Sequence, residues 1–343
     1  MVNKEYILEF AKKILMIDSP SGYTKNVINF LISECESRKL DYTKNNKGNL
    51  IISIPGESDY TLGLSAHVDT LGAMVRSIKS DGTLAFTTIG GPILPTYDGE
   101  YCKVYTREGK VYNGTFLSDA PAVHVFDKAR TLERNTENMH IRLDEVTKSK
   151  EDTLELGINP GDFIAIDPKT VIINDFIKSR FLDDKISVAI LFGLIDYLQR
   201  NYITPKVNLK IIISTFEEVG HGASNIPEVD ELISVDMGCI GLDLSCTEYD
   251  VSICAKDSSG PYDYDITSNL IQYAKVLNLN YAVDIYPFYS SDASAALRAG
   301  NNIKAGLIGP GVSASHGMER THWHGVLNTL KLLIAYVTKN SNN

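Results

Sequence analysis

The stretch TLGLSAHVDT, residues 61–70, decides the fold: a run of small and apolar residues ends abruptly in His67 and Asp69. Apolarity without strict alternation marks a strand buried on both faces, as parallel sheets require. Similar runs occur at VNLKIIISTF (207–216), ELISVDM (231–237), VSICAKD (251–257) and NIKAGLIGP (302–310). Segments with helical character lie around them, at 4–17, 24–38, 186–200, 268–278, 291–300 and 326–337. Strands alternating with helices predict an α/β protein, with a mixed, largely parallel sheet sandwiched by helices.

Between about Gly72 and Thr170 the character changes. Short alternating segments, among them KVYTREGKVYNGTF (103–116), AVHVF (122–126), MHIRLDEV (139–146) and DFIAIDP (162–168), are separated by turn residues. This is the pattern of a small β module with little helical signal. The expected organisation is a discontinuous catalytic α/β domain, 1–72 and 171–343, carrying an inserted β-rich domain at 73–170. The insertion, with strand edges of its own, is a candidate subunit contact. Only the NSNN tail, 340–343, reads as disordered.

Composition narrows the function. With 33 Lys and Arg against 43 Asp and Glu, the formal charge of -10 disfavours nucleic acid as a partner. No run approaches the length of a membrane span, and the mixed N-terminal segment lacks the apolar core of a signal peptide. Five cysteines with no CxxC pair read as reduced thiols of a cytoplasmic protein.

The chemistry sits at strand ends. His67 and Asp69 close one apolar strand, Glu217 and Glu218 follow a second, and Asp236 ends a third; Asp183 and Asp184 open the apolar helix at 186–200. In open α/β sheets the crevice at the strand carboxyl ends is the usual ligand site. Carboxylates gathered there would have to protonate or bind cations. Two divalent ions with imidazole and carboxylate ligands answer that repulsion, one carboxylate bridging. Of the adjacent glutamates, one would hold metal and the other take a proton from water, while Asp69 would fix the tautomer of His67. A Glu-Glu pair also fits a solvated surface, and Asp183-Asp184 also fits a helix N-cap.

The motifs SPSGYT (19–24), AHVDTLGAMV (66–75), LGINPGDFI (156–164), FLDDKISVAI (181–190), FEEVGHGAS (216–224) and SVDMG (234–238) together resemble the M42 family of metallo-aminopeptidases. That family includes glutamyl and deblocking enzymes that form tetrahedral dodecamers. The resemblance implies a zinc-peptidase-like fold with a β-barrel or PDZ-like insertion used for oligomerisation. It implies His67, Asp183 (bridging), Glu218, Asp236 and a late histidine as ligands of two Zn or Co ions, or Mn. Glu217 is then the general base on the water between them.

SASHGMERTHWHGVLNT (313–329) offers three late histidines, His316, His322 and His324. His322 is preferred because it follows Glu319-Arg320 and precedes a helix-like stretch, with His316 the rival or a substrate contact. The expected substrates are short peptides. Further pocket candidates are Ser290-Ser291-Asp292 ahead of a helix, which equally fit a helix N-cap, and the Gly309-Pro310-Gly311 loop, while Tyr286 and Phe288 fit either a pocket wall or the core. Competing readings are a metal-independent glycoside hydrolase using paired carboxylates and a non-catalytic peptide-binding relative.

Overall fold

In the strand Asn208–Ser214 three consecutive isoleucines point alternately into two cores, as the two-residue period of a strand dictates. Ile211 and Ile213 join the large cluster with the helices Lys4–Leu15, Leu182–Arg200 and Trp323–Thr338. Ile212 joins a smaller cluster with Ala293, Ala296 and Leu307 beside the short helix Asp292–Arg298. This computed structural model describes residues 1–338, so the 340–343 tail lies outside the described residues.

The sheet has ten strands. Its centre is parallel, with Asn208–Ser214, Thr61–His67, Glu231–Val235 and Lys304–Val312 side by side. Leu50–Ile54 on one flank and Val251–Asp257 on the other run antiparallel to their central neighbours. In register, His67 lies beside Ser214 and Val235 beside Ile308. The residues that follow these positions therefore emerge together at one end of the sheet.

The helix Leu182–Arg200 is buried along nearly its whole length, which is why its sequence is apolar all round rather than amphipathic. Its Phe192 stacks on Phe10, with ring centroids 4.6 Å apart. Gly193 lets the Lys4–Leu15 helix approach, since a Cβ there would meet Ile7 at 2.7 Å.

The β-rich region forms a closed six-stranded barrel from Gly72–Ile78, Leu84–Ile89, Met139–Leu143, Val111–Ser118, Tyr101–Tyr105 and Phe163–Ile166. Phe86 and Phe116 meet edge to face in its core. Closure corrects the expectation of free strand edges, because every strand is paired on both sides. Two local readings also change. AVHVF (122–126) forms turns, with Val123 and Val125 exposed, because it has no partner strand. Residues Lys150–Glu155 form a helix under a Ser149–Asp152 capping box. Among the described residues no helix is long and apolar enough to cross a membrane.

Candidate active site

His67 is the last residue of its strand and is 1% exposed. Its Nδ1 lies 2.9 Å from the Asp69 backbone carbonyl, which leaves Nε2 facing the crevice, 3.1 Å from Asp183 Oδ1 and 3.7 Å from Glu217 Oε2. The tautomer is thus set chiefly by the main chain of Asp69 rather than its side chain. The Asp69 carboxylate, 3.5 Å from Nδ1, instead accepts the backbone N–H groups of Glu217 and Glu218 and the Ser21 hydroxyl. It therefore positions the turn that carries both glutamates.

Asp183 sits at the start of the 182–200 helix, 3.6 Å from His316 Nε2 through Oδ2. The same imidazole nitrogen is 3.6 Å from Glu218 Oε2. Asp236 follows the end of its strand and is buried, its Oδ1 accepting the Met237 N–H. Two sets of ligand atoms fall within 4.8 Å of one another: those of His67, Asp183 and Glu218, and those of His67, Asp184 and Asp236. Among the described residues, the buried atoms Glu218 Oε1 and Asp184 Oδ1 have no hydrogen-bond partner. Orphaned carboxylate oxygens beside imidazoles fit a cation site.

The electrostatics agree. Burial raises the pKa of Glu217 and Glu218 well above the carboxylate range, with Asp236 adding to the first shift and Asp183 to the second. Asp184 rises through burial and Asp236, and Asp236 reaches about 7 through burial and Asp183. Asp183 resists its burial: contacts with His316 and His67 hold it ionised. His316 rises to about 10, chiefly through Asp183. Without cations, such a cluster ionises only partly.

The structure corrects the choice of late histidine. The strand Glu319–His322 pairs with Phe176–Ser179 and places His322 opposite Phe176. The His322 ring therefore packs against Phe176 and Tyr249, both at 4.8 Å, and its Nδ1 accepts the His324 N–H. His324 packs on the same aromatic group. His316 is the histidine that joins the carboxylates.

Other candidates also move. Ser291 caps the 292–298 helix and meets Tyr262, while Asp292 is buried against Ser214 Oγ and Ala223 N, so both are occupied structurally. Gly309 lies within a strand, where a Cβ would meet the Asp236 carbonyl at 1.8 Å, so this segment is not a pocket loop. Tyr286 and Phe288 do line the crevice, a cavity of about 780 Å³ that also includes Asp183, Glu217, Glu218, Asp236 and His316.

Two residues have larger parts than the sequence assigned them. Asp184, read only as the partner of Asp183 at the helix start, accepts the His67 N–H through Oδ2. Glu319 accepts the backbone N–H groups of Asp183 and His316, and burial lifts its pKa to about 8. Its spacing, three residues after His316, was its only trace.

Comparison with known proteins locates this arrangement. The model of a family described as M42 glutamyl aminopeptidase matches residues 48–332. The "Putative aminopeptidase YhfE" of Bacillus subtilis (strain 168) is 47% identical over 341 residues, covering 98% of this chain and 99% of that protein. A TET aminopeptidase from the marine sediment archaeon Thaumarchaeota archaeon SCGC AB-539-E09 superposes with a TM-score of 0.88 at 18% identity, over 98% of this chain and 97% of that one. The Pyrococcus horikoshii TET1 peptidase, described as assembling into a tetrahedron or a large octahedral shell, gives 0.84 at 23% identity, over 97% and 99%.

Proposed function

The chain belongs to the M42 glutamyl aminopeptidase family, and from that premise we propose a dinuclear metal-dependent aminopeptidase that removes N-terminal residues from short peptides. The observation that carries this reading is the convergence of buried carboxylates on His67 and His316, with two carboxylate oxygens left unpartnered. In this proposal His67, Asp183 and Asp236 would hold one cation, and Asp183, Glu218 and His316 would hold the other. His67 has a single free nitrogen and so serves one ion only. Imidazole with carboxylate suits Zn, Co or Mn.

When bound, the cations would polarise the scissile carbonyl and lower the pKa of the attacking water. Glu217 lines the cavity, with Oε2 3.7 Å from His67 Nε2, where it can reach a water held beside the cations. It takes the proton of that water and returns it to the leaving amine. Asp69 fixes the Glu217 backbone through its N–H. Glu319 fixes the backbone of Asp183 and His316.

We also propose that the barrel strands within Gly72–Ile166 serve oligomerisation, since TET relatives form large shells. The five unpaired cysteines support a cytoplasmic location. Replacing Glu217 by Gln tests the central step: peptide turnover is expected to be lost with bound metal unchanged. Undiminished turnover in that variant would remove Glu217 from the mechanism.

A further inference from the structure

Away from the carboxylate cluster, the cavity is walled by Met237, Cys239, Leu244, Tyr286, Phe288 and Tyr289. Ser290 and Ser315 add small polar groups, and among the described residues no Lys or Arg lines the space. Two cations on nearby segments are turned to other partners. Arg180 donates to the carbonyls of Thr96 and Gly317, and Lys47 to the carbonyls of His221 and Gly222. Every acid lining the cavity is assigned either to metal or, for Glu217, to proton transfer.

A charged side chain entering this space would lose hydration without gaining a counter-ion, which is unfavourable for either sign. An apolar side chain would exchange water for thioether, thiol, aliphatic and aromatic surface. Resting on the aminopeptidase reading above, we propose that this site selects peptides with an uncharged, apolar N-terminal residue of the Leu, Met or Phe class, disfavouring both acidic and basic ones. Leu244 and Phe288 are the wall positions that set this choice. Phe288 is 99% exposed and Leu244 half-buried, so both can be changed without opening the core.

The test compares kcat/KM of the metal-reconstituted full chain on Leu-, Met-, Phe-, Glu- and Lys-p-nitroanilide. The apolar substrates are expected to exceed Glu and Lys by about tenfold or more, the scale on which a pocket discriminates. Leu244→Arg and Phe288→Arg, checked for folding by circular dichroism, should each raise the Glu-to-Leu ratio about tenfold by supplying the missing cation. Glu or Lys cleaved at parity with Leu overturns the apolar selection while leaving the aminopeptidase reading intact. An unchanged Glu-to-Leu ratio in both folded variants overturns the assignment of these two positions. Turnover of none of the five overturns the aminopeptidase reading itself, and this inference with it.

Discussion

Replacing His316 and His322 separately by Ala distinguishes a metal ligand from a packed ring. His316 Nε2 lies 3.6 Å from both Asp183 Oδ2 and Glu218 Oε2. Loss of an outer partner of a metal ligand typically costs 10–100-fold in affinity, so loss of a direct ligand should cost about 100-fold, or about 2.8 kcal/mol. At a free metal concentration about 100 times the dissociation constant of the intact protein, binding stabilises the fold by about 2.7 kcal/mol. In His316→Ala that contribution should shrink to about 0.4 kcal/mol. His322→Ala removes packing against Phe176 and Tyr249 and should lower stability without changing metal affinity. Calorimetric metal titration of both variants, paired with thermal denaturation with and without metal, reads the difference. Lost affinity in His322→Ala with unchanged affinity in His316→Ala would refute the assignment.

The metal-free protein should lose stability as pH rises from about 4 to 8. Asp236 and Glu319 have folded pKa values raised to about 7 and about 8, so their contribution is complete below the unfolded carboxylate range and is lost as pH climbs through the folded values. Each unit corresponds to about 1.4 kcal/mol, which puts the effect at several kcal/mol. Metal should abolish it, so the Tm gained on adding metal should be larger at pH 8 than at pH 5; a gain independent of pH would contradict this. Asp69→Asn places an amide where the carboxylate accepts the N–H groups of Glu217 and Glu218. It should lower kcat by about 10–100-fold, and unchanged kcat would remove Asp69 as a positioning residue.

Much of the fold was legible because buried parallel strands leave continuous apolar runs. TLGLSAHVDT and VNLKIIISTF are adjacent in the sheet, and the ionisable residues after each meet in space. Strand-end position and motif together pointed to His67, Glu217 and Glu218, while Asp236, an Asp at an element boundary, owed more to the family resemblance. The same rule, applied to the strand Lys304–Val312, leads four residues past its end to His316. Weight given to the neighbouring helix pointed to His322 instead, and the pairing of Glu319–His322 with Phe176–Ser179 decides against it. That pairing links residues far apart in sequence, so no local pattern reveals it. Asp69 shows a similar limit: the strand ends at His67, and the chain then turns the Asp69 carboxylate toward the Glu217–Glu218 backbone. A metal-independent glycosidase would have no use for two imidazoles among its carboxylates, and here His67 and His316 both contact Asp183.

The most direct test is to strip the purified protein with EDTA, reconstitute it with Zn or Co, and measure bound metal by mass spectrometry beside hydrolysis of an N-terminally free peptide and its N-blocked counterpart. Two equivalents per chain, activity absent after EDTA and restored on reloading, and cleavage of the free peptide only are the expected results. One equivalent or none at full activity, or undiminished cleavage in EDTA, would contradict a dinuclear aminopeptidase.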